Sequence, residues 1–211
     1  AAVPLENAWS ALVERWPALR DLWLRFASPP VRHAGTLGGN VINGSPIGDG
    51  APVLMALGAR LLLQRGQLQR EVPLDDFYTG YMSNRLQPGE FLHSIIVPLP
   101  QPGTPVRAYK ISKRFDSDIS AVCGAFALHL DGDAVHGARL VFGGLAAVVK
   151  RAAQAEAALQ GRPWTEATLQ AAVAALAQDF QPLSDHRASA AYRLQVAGSL
   201  LRRLWLETRP D

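Results

Sequence analysis

A glycine-rich stretch, residues 35–49, carries the densest set of groups that could hold a ligand. Gly35, Gly38 and Gly39 would let the backbone approach a ligand closely and turn several N–H groups toward one point. Such a nest suits an anionic group or the polar edge of a ring. Side-chain donors and acceptors follow along the same stretch at Thr36, Asn40, Asn43, Ser45 and Asp49. The stretch therefore predicts a ligand-binding loop.

A purely structural explanation of this stretch stays open. A glycine-rich turn can pack against a sheet, and Asp49 can serve only to cap the short helix predicted at residues 51–57. Composition alone does not decide between a ligand-binding loop and a structural turn. The stretch is not a P-loop, because no Gly-Lys-Ser/Thr follows it, and it lacks the Gly-x-Gly-x-x-Gly pattern of dinucleotide-binding turns.

The remaining reactive side chains show no catalytic or metal-binding pattern. Cys123 is the single cysteine, which excludes an internal disulfide and a cysteine-ligated zinc or iron–sulfur site built from this chain alone. It lies in an apolar run, so we expect a buried, inert thiol. The histidines are isolated, without metal-ligand spacing or a paired nucleophile, at His33, His93, His129, His136 and His186. We predict no catalytic residue and no metal site.

The composition is typical of a soluble globular protein. Of the 211 residues 48% are hydrophobic and 18% are charged, and the net charge is only +3 with scattered basic residues. This distribution argues against a nucleic-acid partner. No apolar run approaches the roughly 20 residues of a membrane span, and the start of the chain is unlike a signal peptide. The lone thiol fits a reducing cytoplasm. The start at Ala1 resembles the interior of a longer protein.

Hydrophobic periodicity predicts an α+β fold. Trp9, Leu12 and Trp16 recur at helical spacing, and a second helix follows Pro17. Residues 31–50 are too rich in glycine for a regular element, so an ordered loop is expected there. The other predicted elements are a helix at 51–57, strands at 59–64, 69–73, 91–97, 107–112, 119–130 and 134–142, and helices at 150–159, 165–180 and 184–206.

A proline-rich connector divides these elements into two groups. Pro98, Pro100, Pro102 and Pro105 predict a stiff, extended segment. We place a domain boundary there, between residues 1–100 and 101–211. The first part is predicted to be mixed, and the second to be a three-stranded antiparallel sheet packed with helices.

Four segments, taken together and in order, resemble the small subunit of bacterial xanthine dehydrogenases, which belong to the molybdenum hydroxylase family. They are residues 26–49 with FAS, VR, TLGGN and NGSPIGD, residues 109–122 with YKISKR and DISAV, residues 142–152 with FGG and KRA, and residues 182–189 with PLSD and RAS. The resemblance covers nearly the whole chain. It implies that residues 1–100 form the second part of an FAD-binding domain and residues 101–211 its C-terminal flavoprotein domain.

The resemblance also implies which residues bind FAD. Phe26 would pack against the flavin ring, Asp49 would make a polar contact, and Lys110 would stabilise charge on the reduced ring. The backbone of Leu92 would meet the flavin edge. The full expected set is Phe26, Thr36, Leu37, Gly38, Gly39, Asn40, Asn43, Ser45, Asp49, Leu92 and Lys110. A charged loop near the nicotinamide side is expected at Arg114, Asp116 and Asp118.

Taken alone, three of these residues also have ordinary structural explanations. Phe26 would be a core aromatic, Leu92 a buried leucine and Lys110 a solvated lysine.

The implied function is electron transfer within a larger enzyme. In the family, hypoxanthine or xanthine is hydroxylated at a molybdenum cofactor, and electrons pass through iron–sulfur clusters to FAD and then to NAD. The implied partners are an upstream iron–sulfur and FAD segment of the same protein and a large molybdenum-cofactor subunit, in a hetero-oligomer. This chain alone would be inactive. The alternatives are the flavin subunit of a carbon monoxide dehydrogenase or aldehyde oxidase type of enzyme, and a flavin-free docking domain.

Overall fold

The computed structural model of the protein describes residues 1–115 and 117–209. Its α-helices are α1 (Leu5–Arg15), α2 (Arg20–Leu24), α3 (Pro29–Ala34), α4 (Leu37–Ile42), α5 (Gly50–Ala56), α6 (Ala153–Leu159), α7 (Glu166–Asp179) and α8 (Ala190–Thr208). Its strands are β1 (Arg60–Arg65), β2 (Leu68–Pro73), β3 (Tyr78–Gly80), β4 (Ser83–Asn84), β5 (Phe91–Ile96), β6 (Val106–Ile111), β7 (Val122–Asp131), β8 (Ala134–Gly143) and β9 (Lys150–Arg151). Short 3₁₀ turns lie at Pro17–Leu19 and Leu74–Asp76.

The central sheet, in the order β6-β7-β8-β9, separates two hydrophobic layers. Side chains alternate between the faces of a strand, so Tyr109 and Phe126 pack with the C-terminal helices, whereas Ala108 and Ala125 pack with the first half of the chain. The face toward the first half carries small residues. Helix α5, every residue of which is buried, packs against β7 and β8 there.

The first half of the chain combines short helices with a smaller antiparallel sheet in the order β2-β1-β5. Helix α1 buries Leu5, Trp9 and Leu12, which confirms the helical spacing of its apolar residues. Strand β5 is paired with β1 on one side and lies beside α4. Within the described part of the chain, no helix is long and apolar enough to cross a membrane.

Two sequence-based expectations about elements were wrong, and one pair of strands was missed. Residues 31–50 are not a continuous loop, because α3 extends into them and α4 forms within them, with the Thr36 side chain accepting a hydrogen bond from Gly39 N. The central sheet has a fourth, short strand, β9, where the start of a helix was predicted. Residues 77–84 form a hairpin of β3 and β4 that the sequence pattern did not indicate. The mixed α+β class and the helix-covered antiparallel sheet were predicted correctly.

Helix boundaries follow the capping residues. Helix α7 begins where the Thr165 side chain accepts a hydrogen bond from Thr168 N, as expected for a capped start. Helix α8 begins several residues later than predicted, because Ser189 caps it by accepting from Tyr192 N. The residues before it are held by other bonds, such as that from Ala190 N to the hydroxyl of Ser184.

Candidate functional site

A cavity of about 300 Å³ lies where the first half of the chain meets the end of β6. It brings together four predicted site residues: Phe26, Asn40, Asp49 and Lys110. Apolar side chains make up much of the rest of its lining, at Ala27, Val31, Ile47 and Ile119. An apolar wall with a few convergent polar groups is the usual make-up of a small-molecule site, and this volume is at the lower end of the range for such sites.

The strongest polar feature of this cavity is a buried ion pair. The ammonium of Lys110 lies 2.6 Å from Asp49 Oδ2, and the two side chains are only 2% and 7% exposed. The hydroxyl of Ser120 donates to the other oxygen, Asp49 Oδ1, at 2.5 Å. Asp49 does stand at the start of α5, but its side chain makes no capping hydrogen bond. The alternative explanation, that the carboxylate only caps the helix, does not describe this structure.

Strand alternation explains how Lys110 reaches Asp49. Lys110 and Cys123 are opposite each other in the β6–β7 register, on the face of the central sheet that meets the first half of the chain. Cys123 is fully buried, and burial together with the nearby Asp49 carboxylate raises the pKa of its thiol well above the ordinary value. The sequence context correctly predicted that this thiol is buried.

The ring of Phe26 is fixed by a sharp turn and by Arg32. Ala27 has a positive φ of 52°, which turns the chain directly after Phe26. The buried guanidinium of Arg32 donates to the carbonyl oxygens of Phe26 and Ala27, at 3.1 Å each, and to the carboxylate of Glu6 at 2.5 Å. Phe26 also packs against Trp9, with ring centroids 5.5 Å apart. The aromatic surface at the cavity is therefore held in one position.

Arg25 ties the segment after Lys110 to α2. Its guanidinium donates to the Lys110 carbonyl at 2.8 Å and to the Phe115 carbonyl at 3.1 Å, and it lies 4.9 Å from the centre of the Phe115 ring. Asp118 lines the cavity, and the backbone N–H of Arg114 is the main cause that lowers the pKa of its carboxyl group. Asp116, the third predicted residue of this charged loop, lies outside the described residues.

A second group of predicted site residues lies at the amino-terminal end of α4. The N–H groups there donate hydrogen bonds to acceptors within the chain itself. Leu37 N donates to Val3 O at 3.2 Å, Gly38 N to Ala1 O at 3.0 Å, and Gly39 N to the Thr36 hydroxyl at 3.0 Å. These N–H groups are not a free nest for an anion. Gly38 is required here by packing, because a Cβ atom on it would lie 2.5 Å from Ala1 Cβ.

The other predicted residues lie beside these two groups. Leu92 is buried in β5, opposite Leu63, and does not line the cavity. Asn43 is exposed at the end of α4. Ser45 accepts from Ile47 N at 3.4 Å and so shapes the turn that carries Ile47 over the cavity. In the structure, some of the predicted residues therefore line the cavity, and the others lie in or next to α4 and β5.

Several residues at the site were not selected from the sequence. Arg32 and Ser120 belong to the matched segments, but their types gave no sign of a role until burial revealed their partners. A usable signal for both is a polar residue next to an apolar run, since such a residue needs a partner when buried. The apolar wall residues Ile47 and Ile119 carry no comparable signal.

The residues present fit a flavin. Asn40 lines the cavity, and its Oδ1 atom is buried without a hydrogen-bond partner among the described residues. A buried polar atom without a partner is rare, and a ligand group or an ordered water can complete its hydrogen bonding. The apolar lining suits the faces of a flat ring, and Asn40, Asp49 and Lys110 suit its polar edge. A cavity of this size would take the ring part of FAD rather than the whole molecule.

Comparison with known families places the chain among flavoproteins. Residues 1–100 match the family described as the FAD binding domain in molybdopterin dehydrogenase. Residues 107–208 match the CO dehydrogenase flavoprotein C-terminal domain. The chain belongs to this FAD-binding family of the molybdenum hydroxylases, and FAD is the cofactor of such domains, which confirms the resemblance found in the sequence.

Relatives with different printed activities match this chain to a similar degree. A xanthine dehydrogenase of Emericella nidulans is 35% identical over 83% of this chain, which spans only 13% of that relative. The carbon monoxide dehydrogenase medium chain of Afipia carboxidovorans is 33% identical over 91% of this chain and 66% of the relative. The solved structure of carbon monoxide dehydrogenase from Hydrogenophaga pseudoflava superposes with a TM-score of 0.88 at 30% identity, over 96% of this chain and 71% of that one.

Proposed function

We propose that this chain is the FAD-binding part of an enzyme that oxidises hypoxanthine and xanthine to urate, passing electrons from iron–sulfur clusters through FAD to NAD. The observation that carries the FAD role is the buried Lys110–Asp49 pair in the wall of a cavity that also contains Phe26 and Asn40. FAD supplies the redox chemistry when bound, and the chain supplies binding, orientation and electrostatics.

Each cavity residue has a distinct task in this proposal. Phe26 offers a flat apolar surface to the ring, held in place by Arg32. Lys110 gives one N–H to Asp49 and keeps further donors for the electron-rich edge of the ring. Asn40 and Asp49 accept from hydroxyl or N–H groups of the cofactor. Arg114 and Asp118 would lie on the side from which nicotinamide approaches.

The proposed surroundings follow the family. The upstream partner is an iron–sulfur and FAD segment of the same protein, and the larger partner is a molybdenum-cofactor subunit, in a hetero-oligomer in the cytoplasm. The part formed by residues 1–100 and the part formed by residues 101–211 remain the proposed domains. The chain alone is expected to be inactive, because it carries none of the residues of the substrate site.

A second candidate is the flavin subunit of a carbon monoxide dehydrogenase. The observation that favours it is the extent of the similarity: the medium chain of Afipia carboxidovorans aligns over 91% of this chain. In that enzyme the same cavity would hold the same cofactor, and only the substrate of the partner subunit and the final acceptor would differ.

The FAD role is tested on the complete protein that carries this chain, purified with its partners. We expect a flavin absorption spectrum, and we expect Lys110→Ala and Asp49→Ala to lose FAD on desalting. Matched controls are Lys113→Ala and Asp76→Ala, which remove exposed side chains of the same types and should keep FAD. A native complex without flavin would contradict the proposal and favour a flavin-free docking domain.

The substrate is tested on the same complex. With hypoxanthine or xanthine as the electron donor and NAD as the acceptor, we expect the flavin absorption to bleach under anaerobic conditions and then to recover when NAD is added. Bleaching by carbon monoxide but not by purines would replace the first candidate by the second. Lack of recovery with NAD, but recovery with oxygen, would contradict the proposed acceptor.

A further inference from the structure

Ser120 and Lys110 each make a short hydrogen bond to the Asp49 carboxylate, at 2.5 Å and 2.6 Å. The side chain of Ser120 is only 1% exposed, and its hydroxyl donates to Asp49 Oδ1. A hydrogen bond from a hydroxyl to a buried carboxylate is of the charge-assisted kind, which is about twice as strong as a neutral one. Ser120 does not line the cavity itself, so it can affect a ligand there only through Asp49.

The backbone directly after Ser120 is anchored at Ala121, through both its N–H group and its carbonyl group. Ala121 N donates to Ile111 O at 2.8 Å, which joins this segment to the end of β6 just after Lys110. The buried guanidinium of Arg193 donates to Ala121 O and to Gly144 O, so α8 also holds the segment. Ser120 therefore presents its hydroxyl from a fixed position, directly before β7 begins.

This arrangement fixes which oxygen of Asp49 is available to Lys110. Ser120 engages Oδ1 and Lys110 engages Oδ2, and among the described residues Asp49 is the one hydrogen-bond partner of the Lys110 ammonium. An ammonium group has three N–H donors, so further donors remain for a ligand. Without the Ser120 hydroxyl, Asp49 would keep the Lys110 ammonium and the weak thiol donor of Cys123 as its side-chain partners among the described residues, so both oxygens would be free to turn toward Lys110. The ammonium would then be drawn toward Asp49 and away from the cavity.

We infer that Ser120 is a positioning residue of the flavin site, which sets the orientation of the Asp49–Lys110 pair without touching the cofactor. This inference rests on the proposed FAD role of the cavity. It assigns to Ser120 an effect on flavin affinity and on the electronic state of the ring, beyond any effect on folding. Because the cation stabilises charge on the reduced ring, a retracted Lys110 makes reduction of the flavin less favourable.

The test measures FAD binding to the complete protein with its partners, after removal of bound flavin and titration with FAD. For Ser120→Ala we expect the dissociation constant to rise about tenfold, equivalent to about 1.4 kcal/mol. We also expect a shifted flavin absorption band and a lower midpoint potential. Ser120→Thr keeps the hydroxyl and should restore all three. If Ser120→Ala does not fold, Ser120→Cys, which donates only weakly, is expected to give the same changes in smaller degree.

A control separates positioning from a general loss of stability. Val135→Ala removes buried atoms in the cluster beneath the C-terminal helices and should lower stability without changing FAD affinity or the flavin spectrum. The inference is overturned if Ser120→Ala binds FAD as tightly as the unmodified protein, with an unchanged spectrum and potential. Loss of flavin from the unmodified complex would instead overturn the FAD role itself, so the two failures are distinguishable.

Discussion

The cavity at Asp49 and Lys110 and the amino-terminal end of α4 were both expected to hold the cofactor, yet they satisfy their polar groups in opposite ways. At the end of α4, the chain itself accepts the N–H groups of Leu37, Gly38 and Gly39. In the cavity, Asn40 Oδ1 is buried without a partner in the described residues, and Lys110 keeps donors beyond its bond to Asp49. Within one glycine-rich stretch, the backbone N–H groups at the start of α4 therefore serve packing, while the Asn40 side chain lines the cavity.

The largest effect should come from breaking the buried pair. Lys110→Met leaves the Asp49 carboxylate buried without its cation, and truncating one member of such a pair costs about 3–5 kcal/mol of unfolding free energy. We expect this loss in urea unfolding, together with loss of FAD.

The double variant Lys110→Met with Asp49→Leu sharpens this result. Replacing both charges by apolar groups should recover most of the unfolding free energy, since a buried pair is often no more stabilising than apolar residues of similar size. It should not recover FAD binding. Recovery of both would show that the pair has only a structural role and would remove the difference between the two regions.

A smaller effect is expected at Gly38. A Cβ atom on Gly38 would lie 2.5 Å from Ala1 Cβ and 2.7 Å from Ala1 O, so Gly38→Ala should cost about 1–3 kcal/mol through overpacking. Because this end of α4 packs against the chain, FAD affinity of the folded protein should change far less than stability. Gly137→Ala is the matched control, since its Cβ would meet His129 Cβ at an ordinary 3.7 Å. A loss of FAD without a loss of stability would contradict the comparison.

Loss of the helix cap of α4 should lower the unfolding free energy less than Gly38→Ala does. Thr36→Ala removes the acceptor of Gly39 N, and loss of a helix cap costs about 1 kcal/mol. Thr165→Ala removes the equivalent cap of α7 and gives the reference value in thermal unfolding. If Thr36 only caps the helix, the two variants lose similar stability and both keep FAD. A selective loss of FAD in Thr36→Ala would show that the end of α4 belongs to the binding site.

The smallest expected effect is a pH dependence of the folding stability, which arises from Glu90 just before β5. The hydrogen bond from Arg70, aided by the backbone N–H of Gln87, lowers the pKa of Glu90 from 4.5 to about 2. A lowered carboxyl pKa stabilises the folded state above pH 4.5, and this contribution is lost as the pH falls toward 2. Glu90→Gln should therefore flatten the change of stability with pH in this window. An unchanged slope in urea unfolding at several pH values would show that another carboxylate is responsible.

Asp185 is the other carboxylate to test in that window. Burial would raise the pKa of Asp185, but hydrogen bonds from the backbone N–H groups of Ala188 and Arg187 and from Arg193 lower it to about 2. Asp185→Asn should reduce the acid sensitivity in the same sense as Glu90→Gln.

How far the sequence could predict the fold and the site depended on whether local pattern or long-range packing decides a feature. Alternation along β6 and the long apolar run of β7 made the central sheet predictable. The helix α4 was not predictable from composition, because its glycines are required by close contacts such as that of Gly38 with Ala1. For the site, residue type and resemblance indicated Phe26, Asp49 and Lys110, which the structure brings together at one cavity.

Residues whose role depends on a distant partner could not be predicted in this way. The partner of Ser120 lies 71 positions away in the chain, and the carboxylate partner of Arg32, Glu6, lies 26 positions away. Neither separation leaves a periodic trace in the sequence. The role of Leu92 remains a prediction, because its side chain is buried in the core and its backbone would have to make the contact.

One hydrophobic cluster extends across the proline connector. It joins Trp9 and Leu54 of the first half to Val106, Ala125 and Val141 of the second. The two family segments therefore share this cluster, and neither can be removed without exposing apolar surface of the other. Unfolding should accordingly be one cooperative transition rather than two. In evolution, the segments would be expected to move between proteins as a pair and not as separate modules.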